Sequence, residues 1–175
     1  MIQHMTISRQ SDMKTINLTR EKIALVDDVD HDELNRNSWS YSNTGYAQRG
    51  FKIKGKSRTV LMHRQILNAP SGIEVDHING NRLDNRRSNL RFATRGENIF
   101  NQRKRLRKTT SQYKGVYWNK GDSMWMARIQ AKGNCIYLGN FRSEQEAALA
   151  YNTAATKYHG EYANLNIILE ENKDE

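Results

Sequence analysis

Between residues 73 and 103 the chain strings together four short pieces whose order leaves little conformational freedom. Residues 73–78 read as a strand, 79–88 as a polar loop rich in turn formers, and 89–94 as a second strand. Thr94-x-x-Glu97 then has capping-box spacing and opens a helix from Arg95 to about Arg103. A strand, loop, strand and helix in so few residues must fold back on themselves, which brings Asp76, His77, Asn89 and Asn98 within reach of one point. Those four side chains have the chemistry of a one-metal phosphodiesterase. A carboxylate and an amide can hold a hard cation through oxygen, an imidazole titrating near neutrality can take a proton from water, and a second amide can orient that imidazole. Arg82, Arg86, Arg87, Arg91 and Arg95 surround them and could hold phosphates through bidentate forks. An Asp-His pair is also an ordinary surface turn, and spacing alone leaves both readings open.

Charge adds a partner class. The 175 residues carry a net charge of +9, unevenly placed: 16 Lys/Arg against 11 Asp/Glu over residues 1–98, 5 against none over 99–112, and 7 against 8 over 113–175. The field peaks at Arg103, Lys104, Arg105, Arg107 and Lys108, which points to a polyanion. A solvated linker is the plainer alternative. Cys135 is the only cysteine, so neither a disulfide framework nor a cysteine zinc site forms within one chain. No apolar run reaches membrane-spanning length and no signal-peptide pattern opens the chain, so a soluble intracellular protein without a membrane partner is expected. Residues 1–12 read as a disordered extension, or lie upstream of a true start at Met13.

Upstream of the motif, residues 14–62 look β-rich, with an acidic run at 27–33 before a turn of helix and a hairpin made of 45–53 and 59–62. That hairpin spells the P-loop pattern, Gly50-x-x-x-x-Gly55-Lys56-Ser57. A phosphate-binding loop follows a buried strand and opens a helix, whereas Phe51-Lys52-Ile53-Lys54 alternates as a strand does, so nucleotide binding is set aside.

Downstream, composition changes at Tyr113. Residues 115–118, 124–131 and 135–141 read as three strands separated by two hairpin turns. Ser143-x-x-Glu146 caps a helix with Ala147, Ala150, Tyr151, Ala154 and Tyr158 on one stripe, and Gly160 stops it. Trp125, Ala127 and Ile129 face the helix in this reading, leaving Met126, Arg128 and Gln130 outward on a sheet able to lie in a DNA major groove. A small α+β domain with a wet face is the bland alternative.

Two family resemblances sharpen this. Residues 58–103, through Met62-His63-Arg64, Val75-Asp-His-Ile-Asn-Gly80, Ser88-Asn-Leu90 and Glu97-Asn98, closely resemble the HNH endonucleases. They look most like the phage and intron-encoded homing enzymes with Asn at the third motif position. The resemblance implies a ββα-metal (His-Me finger) site, with His77 as general base and Asn89 holding its ring. Asp76 and Asn98 would ligate a divalent cation, Mg²⁺ with Mn²⁺ as the alternative. His63 and Arg64 match an upstream family position and fall to packing or phosphate contact. Residues 113–166 resemble the Apetala-two (ethylene-response-factor type) DNA-binding domain, which reads DNA with its three-stranded sheet. The corresponding outward positions here are Lys114, Tyr117, Asn119, Arg128, Gln130, Cys135 and Tyr137, with less arginine than the plant members carry, so their target sequence does not transfer.

The expectation is therefore an α+β chain in which a ββα-metal nuclease module is followed by a three-stranded antiparallel sheet packed on one helix. The nuclease domain covers 13–103 (core about 73–103), a basic linker 104–112, the DNA-binding domain 113–169 and an acidic tail 170–175. It would be a site-specific endonuclease acting on double-stranded DNA, leaving 5′-phosphate and 3′-hydroxyl ends and nicking one strand as a monomer. Its place would be the cytoplasm of a bacterial host if phage-encoded. A non-catalytic DNA-binding regulator and a less specific nuclease are the alternatives.

Overall fold

The computed structural model describes residues 12–104 and 109–168. The proposed extension up to Ser11, the linker cations Arg105, Arg107 and Lys108, and the acidic tail lie outside the described residues. Packing divides the chain between Thr94 and Arg95 into two units, both α+β.

In the first unit β1 (Met13–Asn17) and β2 (Ile23–Asp27) pair antiparallel, burying Ile16, Ala24 and Val26. The acidic run becomes α1 (Asp28–Asn35), where Asp28 and Asp30 sit in the first turn against the positive end of the helix dipole. A second sheet follows in the order β3 (Ser40–Tyr41), β4 (Ala47–Ile53), β5 (Lys56–Leu61). Ile53 pairs with Lys56, so Lys54 and Gly55 turn alone. Both have positive φ, 48° and 77°, as a two-residue type I′ turn requires. The P-loop spelling thus falls on a hairpin. Met62, expected to end the second strand, instead opens α2 (Met62–Ile66), a helix too short to show periodicity. β6 (Glu74–His77) and β7 (Leu90–Ala93) complete the unit as an antiparallel pair. Ile16, Val26, Leu34, Trp39, Met62 and Leu90 belong to one core.

The loop between β6 and β7 is strapped down. Leu25 N–H donates to Leu83 O and Asn85 N–H to Leu25 O, both at 2.8 Å, so residues 83–85 lie as a short parallel bridge along β2. Arg87 N–H adds a bond to Asp27 Oδ2 at 2.7 Å. These bonds satisfy backbone groups that burial would otherwise leave unpaired.

The second unit contains α3 (Arg95–Asn101), β8 (Val116–Asn119), β9 (Met124–Ala131), β10 (Asn134–Phe141) and α4 (Glu144–His159). The sheet is antiparallel in the order β10-β9-β8. The predicted capping box is present: Glu146 N–H donates to Ser143 Oγ at 3.1 Å, and Ser143 N–H to Glu146 Oε2 at 3.4 Å. The buried stripe of α4 is Ala147, Ala148, Tyr151, Ala154, Ala155 and His159, rotated from the expected one, with Tyr158 exposed. Ala127 and Ile129 are buried on the helix side of β9, while Arg128 and Gln130 point out, as predicted. Asn166 clamps the start of the sheet, accepting from Lys114 N–H at 2.6 Å and donating to Lys114 O at 3.0 Å. α3 groups here and not with the β6–β7 pair, because Phe100 stacks on His159 (centroids 3.9 Å apart) and Lys114 Nζ donates to Phe100 O and Gln102 O.

Candidate active site

Asp76 and His77 are successive residues of β6, so strand alternation sends them to opposite faces. Both are about 95 % buried. Asp76 stands across from Arg91 of β7, whose Nε and Nη2 reach Asp76 Oδ2 at 3.0 and 2.8 Å. His77 turns towards α2 and the β3–β4 connection. Its ring meets His63 edge-on at 4.9 Å and Tyr46 at 5.9 Å between centroids. The Nε2 atom lies 3.5 Å from Asn85 Oδ1. Burial lowers the His77 pKa below its ordinary 6.5, opposed by the Asn85 bond and the charges of Asp76 and Asp84, so the ring is neutral at physiological pH. Burial pushes His63 further, to about 3, with His77 and Arg64 adding to the effect.

Asn89 is brought to the same place but is spent differently from the expectation. Its Oδ1 accepts from Asn79 N–H at 2.9 Å, and its Nδ2 donates to Asn79 Oδ1 at 3.1 Å and Asp84 O at 2.7 Å. It therefore closes the β6–β7 loop, and the residue on the His77 ring is Asn85. Asn85 has no exposed surface and its backbone is held on β2. It was missed in the sequence because it sits in a loop whose burial comes from strands some 60 residues earlier. Asn98 lies half-buried on α3, in the second unit.

The arginine cluster is largely a scaffold. Arg86 forks onto Asp84 with both bonds at 2.7 Å, and Arg87 forks onto Asp30 at 2.8 and 2.7 Å. The Arg86 pair is the main cause of a lowered Asp84 pKa. With Arg91 on Asp76, three of the five guanidiniums are committed to carboxylates. Arg82 donates to Thr44 O and covers the Tyr46 ring, and Arg95 is exposed. Arg64 donates to the carbonyls of Ala69, Pro70 and Ile73, closing the turn after α2, which fits the packing reading of that residue.

In the second unit the outward sheet positions separate into two groups. Arg128 and Gln130 are exposed, Tyr137 is 58 % exposed, and Arg128 stacks over Tyr117 at 4.2 Å. Lys114 is no free cation: its ammonium donates to the carbonyls of Phe100 and Gln102 at the C-terminal end of α3, and burial lowers its pKa to about 8. Asn119 caps its own hairpin turn through Asp122 and Gly121 N–H. Cys135 is an exposed free thiol. Arg103, at the end of the expected nuclease domain, is exposed, while the linker's Lys104 donates to Tyr113 O at 2.6 Å.

A family model described as HNH endonuclease matches residues 68–99. Protein 3.8 of Escherichia phage T7 is 37 % identical over 97 residues, covering 54 % of this chain and 76 % of that protein. The chain belongs to the HNH endonuclease family. A relative named as an uncharacterized HNH endonuclease, L560 of Acanthamoeba polyphaga mimivirus, is 38 % identical over 99 residues, 57 % of this chain. The match spans about half the length of that relative, 50 %. This HNH protein also carries a plant-like region: APETALA2-like protein 2 of Oryza sativa is 36 % identical over 69 residues, 39 % of this chain and 16 % of its own. Among the described residues, no helix is long and apolar enough to cross a membrane.

Proposed function

We propose that this HNH protein is a site-specific, divalent-metal-dependent DNA endonuclease of the homing type that nicks one strand of double-stranded DNA as a monomer. The observation that carries the reading is the buried His77 imidazole, its Nε2 3.5 Å from Asn85 Oδ1, on the strand that also carries Asp76, whose carboxylate Arg91 fixes in place. His77 would take a proton from water as the water attacks phosphorus, and the bond to the 3′ oxygen would break, leaving a 5′-phosphate and a 3′-hydroxyl. The residues proposed to hold the metal are Asp76 and Asn98, oxygen donors only. Among the described residues, no three His, Cys, Asp or Glu side chains cluster as a metal cage. An oxygen-only pair suits Mg²⁺ (or Mn²⁺), which proteins commonly bind through one or two carboxylates together with substrate phosphates. A cation bound there would supply charge stabilisation to the phosphate and the leaving oxygen. Arg128, Gln130, Tyr117 and Tyr137 are the proposed contacts of the C-terminal sheet with DNA, with Arg82, Arg95 and Arg103 adding phosphate contacts.

The test uses the full chain and its His77→Ala variant on phage or bacterial genomic DNA with Mg²⁺, with ends mapped on each strand. Discrete nicks that EDTA abolishes, and that the variant makes roughly 10²–10⁴-fold more slowly while still binding DNA, are the expected result. Specific binding by the unaltered protein with no cleavage under any divalent cation would instead make it a regulator.

A further inference from the structure

From Arg36 to Ile73 the sequence contains no Asp or Glu, against seven Lys or Arg. Four of the seven, Lys52, Lys54, Lys56 and Arg58, stand exposed on the β4–β5 hairpin. None of them has a carboxylate partner among the described residues. There is a contrast within the first unit: Arg86, Arg87 and Arg91 near the motif are paired with Asp84, Asp30 and Asp76, whereas the four cations of this ribbon have no carboxylate beside them among the described residues.

The ribbon's register sorts its side chains. Directly opposed residues share a face, so Arg49, Phe51, Ile53, Lys56, Arg58 and Val60 line one side, and Lys52 lies on the other. The Arg49 guanidinium sits 5.6 Å from the centroids of both Trp39 and Phe51, so an aromatic-backed cation marks the base of the first face. A shallow cleft of about 420 Å³, lined by Arg49, Phe51, Val60, Arg64 and Gln65, continues it. Phe51 and Val60 are only half-buried and Ile53 is 52 % exposed, so folding leaves this apolar and basic surface uncovered.

We propose that the β4–β5 ribbon is a DNA-contacting arm of the nuclease unit, laid in a groove of duplex DNA with Lys52, Lys54, Lys56 and Arg58 on the flanking phosphates. The inference rests on the reading of the chain as an enzyme acting on double-stranded DNA. A two-stranded ribbon fits the major groove, whose width is about 12 Å, and cations on both faces meet both groove walls. Contacts of this kind position the protein without reading sequence.

The experiment measures affinity of the full chain for a short random-sequence duplex across a salt series, with EDTA present. Replacing all four residues by glutamine should make the slope of log K against log salt shallower by about 3–4 and weaken binding at least roughly tenfold at about 0.1 M salt. The variant Lys52→Arg/Lys54→Arg/Lys56→Arg should keep the original slope. As an independent readout on the unaltered chain, duplex DNA should shield Lys52, Lys54 and Lys56 from amine acetylation followed by mass spectrometry. An unchanged slope in a folded glutamine variant, or unshielded lysines in a protein–DNA complex, overturns the proposal. A protein that cuts DNA normally with an unchanged slope sinks the arm alone, whereas an unaltered chain with no affinity for duplex sinks the nuclease reading with it.

Discussion

The two units bury different things. The first unit encloses Asp27, Ser42, His63, Asp76, His77, Asp84, Asn85 and Asn89 alongside its apolar core, whereas the second encloses Asn101, Ser111 and His159 among alanines, aromatics and β-branched residues. Each unit also holds buried polar atoms without a hydrogen-bond partner, His63 Nδ1 and Asn85 Nδ2 in the first and Asn140 Oδ1 and His159 Nδ1 in the second, so the units differ in how many polar side chains they bury rather than in how completely these are paired. Buried polar groups cost stability unless fully paired, so the first interior trades stability for chemistry, while the second is built to hold a sheet face rigid.

The largest test of that contrast is Gly115→Ala. Gly115 has φ 77°, and a Cβ there would come within 2.0 Å of the Tyr151 ring and 2.7 Å of Arg128 O. Strain and overpacking together should remove about 2–4 kcal/mol from the second unit. Hydrogen exchange should then show protection lost along α4 and kept at Ala24 and Val26. Equal loss in both places would mean the two interiors do not behave separately.

A smaller effect, in catalysis, is expected in the polar interior. Asn85→Ala should slow cleavage roughly tenfold to a hundredfold, part of the 10²–10⁴ that a general base supplies. Asn85→Asp keeps an oxygen near Nε2 and adds a negative charge, so it should restore much of the rate with the acid limb of the pH profile moved upward. An Asp variant as slow as the Ala variant, with the limb unmoved, would reduce Asn85 to packing.

Near neutral pH the smallest effect is the one on acid stability, which grows only as the solution is acidified. His63 titrates at about 3 in the fold and near 6.5 when unfolded. Between those values the unfolded chain binds a proton that the native one excludes. Stability therefore falls as pH drops from 6.5 towards 3, by about 1.4 kcal/mol per pH unit, and His63 contributes nothing above that window. His63→Phe, which keeps ring contacts to Tyr46 and His77, should make the chevron-derived stability less steep over that window by one proton. The second unit's His159, with its ring on Phe100 and Gln130 O, is untouched by that change.

What could be read in the sequence was local. The α4 capping box, the turn at Gly160 and the period-2 faces of β9 are set by residues a few positions apart, and the structure has them. The motif residues Asp76, His77 and Asn89 are also close in sequence, and the structure buries all three in the first unit. The pairing of Arg87 with Asp30 spans 57 positions, and that of Arg87 N–H with Asp27 spans 60, so nothing nearby announced that Arg87 is structural. Lys114 looked like one more outward cation because its partners, the carbonyls of Phe100 and Gln102, are backbone and leave no signature in a sequence. Asn85 was hidden by the same long-range burial.

The strap between β2 and residues 83–85 has a consequence for transplanting this motif. A fragment starting near residue 68, although it holds Asp76, His77 and Asn89, would leave Asp84 and Asn85 facing water and Asn85 without the carbonyl of Leu25 that fixes it. The N-terminal hairpin is in effect the mould in which the β6–β7 loop sets, and a graft that omits it carries the residues of the site without their shape.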